Sequence, residues 1–522
     1  MSLRPLLLAW HPAHLQRPYS EPMPLESVDV VPLNQVAWQA AVECGACVVV
    51  RPWEHVDAEL LAAVHAQTHQ SLQSWQSDAR SIALAKGLPE NTEHLDAARV
   101  WMAYRDWHYC SALLERLTPL LRQTPVLYAP RPPPMLFTSW YRGNDIPALA
   151  LQALADRPEV SWLPPIHPDA LDKASLPYEA DSLPYQNWHL VHLLGLTDPV
   201  HHVERVLRRD GHVLIAYDRE LSGSIDLFKS WSHREHRIHC IELPIGNAVA
   251  ELHQAAFPPL VHASKDLIGE AAIRELWPRH AQFRLTLDRM LLRHGLPRSV
   301  VVSDHASPEG LLILEMARKH GICGESIAHA SRVLDSPFRM LPPDTSNWTY
   351  FASTRTDRNL ARSLLDAGEA EVKIRPSPRF RVGPRRILRM VRRLLAPARR
   401  NLRIGIVVTS GEAPLTPDFP VSLLLEQVRS VCGVSGNFKR PLELVFRLRE
   451  HEDSERLFAE AIGDTCLPAT IQRGTAENRR MFYRECDLLI ELGSPGTAAL
   501  ESIADGTPVL RLCTGTSADA LR

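Results

Sequence analysis

Residues 491–512 read "ELGSPGTAALESIADGTPVLRL". With "DLLI" just before it, the stretch opens as a short apolar strand ending at Leu492. A turn of small residues follows (Gly493, Ser494, Pro495, Gly496), then an Ala-rich helix from about Thr497 that carries Glu501. Gly506-Thr-Pro508 stops that helix, and "VLRL" starts a new strand. A strand–turn–helix of this kind puts free backbone N–H groups and the positive end of a helix dipole at a strand's carboxyl end. Small residues let an anion approach the backbone closely, and Ser494 and Thr497 add hydroxyl donors. The expected guest is a phosphate, most naturally of a nucleotide. The same residues would also serve as an ordinary helix cap, so the turn alone leaves both readings open.

Working outward, strands and helices alternate around this turn. "LRIGIVVTS" is a buried strand, "PVSLLLEQVRSV" a helix, "LELVFRLRE" a strand and "SERLFAEAIG" a helix, so the unit 404–522 reads as doubly wound α/β. A similar rhythm runs from about 123 to 382, through "TPVLYAP", "GHVLIAYD", "RSVVVSDH" and "NWTYFAS", each near a helical stretch. Residues 1–122 read as a mainly helical extension with one or two short strands, "PLLLAW" and "ACVVVRPW". Between the two α/β units, residues 383–403 ("GPRRILRMVRRLLAPARRNLR") form a basic amphipathic linker helix. It has eight arginines from Arg385 to Arg403 and no acid.

The whole chain limits the choices further. It has 522 residues, 45% hydrophobic and 23% charged, enough for several cores. A formal net charge of −2 gives no global field for nucleic acid. Among nine cysteines, only Cys44 and Cys47 approach zinc-ligand spacing, and no second pair follows. Scattered cysteines suit a reduced, cytoplasmic setting. No apolar run reaches membrane-spanning length, and the N-terminal "MSLRPLLLAWHPAH" is too interrupted for a signal peptide.

The motif Ser494, Gly496, Thr497, Glu501, Gly506, Pro508, Val509 resembles the donor half of GT-B glycosyltransferases, in particular bacterial capsule and surface-polysaccharide transferases. The resemblance implies two Rossmann-like domains of GT-B type. Residues 123–382 would be the acceptor side and 404–522 the nucleotide-sugar donor side. It implies donor-phosphate contacts from Ser494, Gly496 and Thr497, and ribose or sugar contact from Glu501. "LELVFRLREHED" resembles the family's strand ending in basic-x-His-Pro and adds Arg449 and His451 as phosphate ligands, with Glu452 where the family carries Pro. Thr409, Ser410 and Gly411 form a polar loop at the same edge. "GICGESIAHASRV" resembles a strand ending in His-Gly, here His329-Ala330.

An inverting transfer needs a base near the acceptor hydroxyl. Asp304 is the first candidate, then His305 or His329. No paired Asp-x-Asp appears, so the reaction is expected to be metal-independent, with no cofactor beyond the nucleotide-sugar substrate. The expected partners are a nucleotide-sugar, a glycan or lipid-linked glycan acceptor and, through the Arg385–Arg403 segment, the anionic inner face of the cytoplasmic membrane. The competing readings are a nucleotide-sugar 2-epimerase, a polyol-phosphate transferase, and a catalytically silent GT-B-like scaffold of an assembly complex.

Overall fold

The computed structural model describes residues 4–16, 27–86, 95–130, 136–137, 146–154, 159–163, 187–193, 206, 209–218, 237–243, 266–302, 307–327, 348–352, 359, 373–376, 388, 391, 401–409, 415–436, 438, 441–449, 453–463, 468–474, 479–493 and 497–512. The fold is α/β, and within these residues the strands make three parallel sheets.

The N-terminal sheet holds β1 (Leu6–Ala9), β2 (Asp29–Pro32), β3 (Cys47–Val48), β4 (Leu127–Pro130) and β5 (Val160–Leu163), in the order β3-β2-β1-β4-β5. The central sheet holds β6 (Trp188–Leu193), β7 (His212–Asp218), β8 (Ile238–Leu243), β9 (Ser299–Val302), β10 (Cys323–Ile327), β11 (Trp348–Ala352) and β12 (Lys373–Pro376), in the order β12-β11-β10-β9-β6-β7-β8. The C-terminal sheet holds β13 (Leu402–Thr409), β14 (Leu442–Arg449), β15 (Ala469–Gly474), β16 (Leu488–Gly493) and β17 (Val509–Arg511), in the order β15-β14-β13-β16-β17. In each sheet the chain steps outward from its first strand, returns to that strand's other side and steps outward again. This is the Rossmann-like doubly wound order, and it opens a crevice at the carboxyl ends of β1/β4, β6/β9 and β13/β16.

The expected division therefore changes. Residues 1–122 are rich in helix, yet β1–β3 pair in one sheet with β4 and β5, so this sheet runs across the boundary expected at 122. The central sheet begins at Trp188. Of the expected linker helix, only Leu388 and Val391 lie within the described residues before 401, and both are exposed. Arg403 is not on a helix. It sits in β13, with its guanidinium 2.8 Å from Glu485 and 3.7 Å from Glu443.

Helices cover the sheets. Among the described residues, those of the N-terminal module are α1 (Ala13–Gln16), α2 (Gln35–Glu43), α3 (Ala58–Ala85), α4 (Ala97–Leu121) and α5 (Ile146–Ala153). The central module has α6 (Leu267–His294) and α7 (Pro308–Lys319); the C-terminal module has α8 (Val421–Ser435), α9 (Glu455–Ile462), α10 (Arg479–Glu485) and α11 (Thr497–Ala504). Side-chain caps fix several starts: Asn34 accepts from Ala37 N, Asp57 from Leu60 N, Ser307 from Gly310 N and Ser454 from Leu457 N.

β13 shows why the C-terminal sheet is sandwiched. Ile404, Ile406 and Val408 enter one buried cluster with Leu424, Val428 and Phe458 from α8 and α9. The alternate residue Val407 enters another with Phe482, Tyr483 and Cys486 of the α10 side. Trp38 of α2 and Trp53 of the 3-10 turn Pro52–His55 complete the first cluster, so the N-terminal module finishes the C-terminal core. Among the described residues, no helix is long and apolar enough to cross a membrane.

Candidate functional site

The C-terminal crevice lies between β13 and β16, where Thr409 pairs with Gly493. Gly493 has φ +78, and a Cβ there would overlap the Thr409 carbonyl oxygen. Glycine is thus required twice over, for the left-handed backbone and for the close approach of the two strand ends. α11 follows this point in the chain. Ser494, Gly496, Ser410, Gly411 and His451 lie outside the described residues. For Thr497 the structure describes only its place as the first residue of α11.

Strand register sets the charges. Val407 pairs with Arg447 on one side and Glu491 on the other, and Glu491 pairs with Arg511. In-register residues of parallel strands share a face, so Arg447, Glu491 and Arg511 form one row under α10 and α11. Arg447 is buried, its guanidinium over the rings of Phe482 and Tyr483 at 5.4 and 6.0 Å. Glu491 is buried too, 3.7 Å from Arg511. Arg449 comes two residues after Arg447 on the same face, and it is exposed at the carboxyl end of β14. Its backbone N–H donates to Asp453 at 2.9 Å. Glu501 is half-buried on α11. Arg449, Thr409 and Glu501, expected from the sequence, sit on β14, β13 and α11, and Arg447 and Glu491 are two buried charges beside them that the motifs do not mark. The alternation of strand side chains, applied to "VFRLR" and "IELG", already points both residues to the face of Val407.

The carboxyl edges of the N- and C-terminal sheets meet. Gln35, fully buried at the start of α2, accepts from Ser454 N at 3.3 Å. Gln35 follows the carboxyl end of β2, and Ser454 follows that of β14. Leu415, six residues beyond β13, is buried in the N-terminal core. Thr416 donates through Oγ1 at 2.7 Å and through its backbone N–H at 3.2 Å to Asp106 of α4, and Arg105 pairs with Asp418 at 2.8 Å.

The central crevice meets the same helix, α4, two turns earlier. His192 lies near the end of β6, paired with Val302. Glu309, in the first turn of α7, is 3.4 Å from Arg99 of α4. Burial pushes the Glu309 carboxyl up, but Arg99, then His192, its own backbone N–H and His280 outweigh it and hold the group below its ordinary value. Beside it, Asp96 accepts from or pairs with His280 Nε2 of α6 at 2.7 Å, both buried. Arg99 and Asp106 are seven residues apart, two turns and about 10 Å along one side of α4. The central crevice and the exit of β13 are therefore tied to neighbouring points on one helix. Asp304 and His305 follow β9, and His329 follows β10; all three lie outside the described residues. Among the described residues, no group of three His, Cys, Asp or Glu side chains is placed to hold a metal ion.

No protein-family model matches the chain. No curated protein matches it either. Solved structures of similar shape include UDP-GlcNAc 2-epimerase from Neisseria meningitidis bound to UDP-GlcNAc, at 12% identity and TM-score 0.39, over 64% of this chain and 85% of that one. MurG from Acinetobacter baumannii is similar at 13% identity and TM-score 0.35, over 64% and 80% of the two chains. A UDP-glucosyltransferase from Polygonum tinctorium that glucosylates indoxyl is similar at 13% identity and TM-score 0.37, over 63% and 80%.

Proposed function

We propose that the chain is a glycosyltransferase of GT-B type. It binds a nucleotide-sugar donor at the carboxyl edge of the C-terminal sheet and transfers the sugar to a glycan or lipid-linked glycan of the cell surface. The observation that supports this most is the β13/β16 crevice: a switch point closed by Gly493 beside the exposed Arg449, with the carboxyl edge of the N-terminal parallel sheet in contact with that of the C-terminal one. A departing nucleotide gathers negative charge, and a guanidinium at a strand end stabilises it. Ser494, Gly496, Thr497 and His451 are proposed to complete the phosphate contacts, with Glu501 on the ribose or sugar and Ser410 and Gly411 in the loop beside it.

The acceptor is proposed to lie along the central edge, where Asp304, His305 or His329 acts as the base and no metal takes part. We also propose that the arginines from Arg385 to Arg400 hold the protein at an anionic cytoplasmic membrane surface, while Arg403, expected in the same segment, is engaged by Glu485 and Glu443 in β13. The exposure of Leu388 and Val391 suits an apolar stripe on that segment.

A thermal-shift screen of the purified chain against UDP, GDP, ADP, TDP, CMP and CDP, with and without Mg²⁺, tests the reading. At a hundredfold excess over Kd, ligand binding adds about 2.7 kcal/mol of stability. A selective shift lost in Arg449→Ala is the expected result. No shift with any nucleotide in a folded sample would overturn it and leave the scaffold reading.

A further inference from the structure

We infer that Asp106 is a positioning residue for the nucleotide crevice, a carboxylate of the N-terminal module that fixes the chain where it leaves β13. The inference rests on the donor reading above. Asp106 sits within α4 with no solvent exposure. Its Oδ1 takes both hydrogen bonds from Thr416, while Oδ2 is buried with no hydrogen-bond partner among the described residues. A half-satisfied buried carboxylate is a costly way to join two modules, because an apolar side chain of similar size would avoid the desolvation. What the acid supplies is direction: one oxygen receives both the amide and the hydroxyl of a single residue.

That residue is well placed to matter. β13 ends at Thr409, opposite Gly493 in the crevice. Leu415 is already sunk in the N-terminal core, Thr416 is held by Asp106, and Asp418 is held by Arg105. At a maximum of about 3.6 Å per residue, the segment from Thr409 to Leu415 spans no more than roughly 22 Å between two anchored ends. A change at Thr416 therefore alters the constraint on the crevice without touching a residue that meets the nucleotide. The charged and titratable groups around Asp106 are Arg105 and Cys110 on its own helix and Asp418 on the opposing segment.

The test uses the full chain and four variants: Asp106→Asn, Asp106→Leu, Thr416→Ser and Thr416→Val. Hydrogen exchange over residues 405–425 and the Kd of the six nucleotides above are the two readouts. Asp106→Asn and Thr416→Ser preserve an acceptor or a hydroxyl and are expected to keep protection and affinity near those of the parent. Asp106→Leu and Thr416→Val are expected to raise exchange over 405–425 and to weaken nucleotide binding at least fivefold, with exchange over the central sheet unchanged. Unchanged exchange in Asp106→Leu and Thr416→Val overturns the inference. So does increased exchange with unaltered affinity, or an equal loss in Thr416→Ser and Thr416→Val. If no nucleotide binds the parent chain, the donor reading fails, and with it the positioning role; the exchange readout then decides only whether Asp106 is a structural tie.

Discussion

Replacing Gly493 with alanine tests whether the crevice depends on the touching ends of β13 and β16. Two costs arise. An alanine at φ +78 sits in the left-handed region, worth roughly 1–2 kcal/mol. Its Cβ also overlaps the Thr409 carbonyl oxygen and comes within 3.2 Å of Leu424 Cδ1, so β13 and β16 must separate at their carboxyl ends. Overpacking of this kind adds roughly 1–3 kcal/mol, for a combined loss of about 2–5 kcal/mol. Gly321 supplies the control: its φ is +66, but a Cβ there meets no described atom within 4 Å. Gly321→Ala should therefore cost only the roughly 1–2 kcal/mol of backbone strain. Urea unfolding followed by far-ultraviolet circular dichroism gives both values. At a slope of about 2 kcal/mol per molar, the midpoint falls by roughly 1–2.5 M for Gly493→Ala and by 0.5–1 M for Gly321→Ala. Equal losses would refute the close-approach argument, because strain alone would then account for both.

Arg449→Ala is expected to weaken nucleotide binding by about tenfold or more, the loss of one charge-assisted contact, read by titration of the purified variant and parent. His280→Ala should cost roughly 3–5 kcal/mol, because it strips the partner from the buried Asp96 carboxylate; adding Asp96→Asn should recover most of that in urea unfolding. Asp106 titrates in an informative window. Burial pushes it from the ordinary 3.8 to about 6, against the opposing pull of Arg105 and Thr416. A folded-state value above the unfolded one stabilises the fold at low pH, and that contribution is lost as pH rises through about 6, a span of roughly 3 kcal/mol. Asp106→Asn lacks this titration. The stability difference between Asp106→Asn and the parent should therefore move in favour of the variant by roughly 2 kcal/mol between pH 4 and 7.5, read from urea midpoints.

The C-terminal sheet was the most legible part of the sequence, because "LRIGIVVT", "LELVFRLR" and "LLIEL" are long enough to bury on both faces and are spaced by helices. The N-terminal sheet was hidden by its proportions. β3 is two residues and β1 and β2 are four each, while α3 and α4 take 28 and 25, so the helical period dominates any window. Arg449, Thr409 and Glu501 stand on elements that the sequence already marks, the ends of β14 and β13 and the helix α11. Asp96–His280, Arg99–Glu309 and Asp106–Thr416 could not be found this way, since each joins residues 184 to 310 positions apart and nothing local marks either partner.

The two tryptophans that complete the C-terminal core have a consequence during synthesis. Trp38 and Trp53 leave the ribosome early, and the residues that cover them, through Ile462 of α9, come about 400 residues later. At roughly 5–20 residues per second, these two indoles await their cover for about 20–80 s. A nascent chain thus carries an uncovered aromatic face while the roughly 400 residues between Trp53 and Ile462 are made. It should depend on chaperones in proportion to how slowly residues 54–462 are made, and slow codons before residue 462 should lower its soluble yield more than the same codons placed after it.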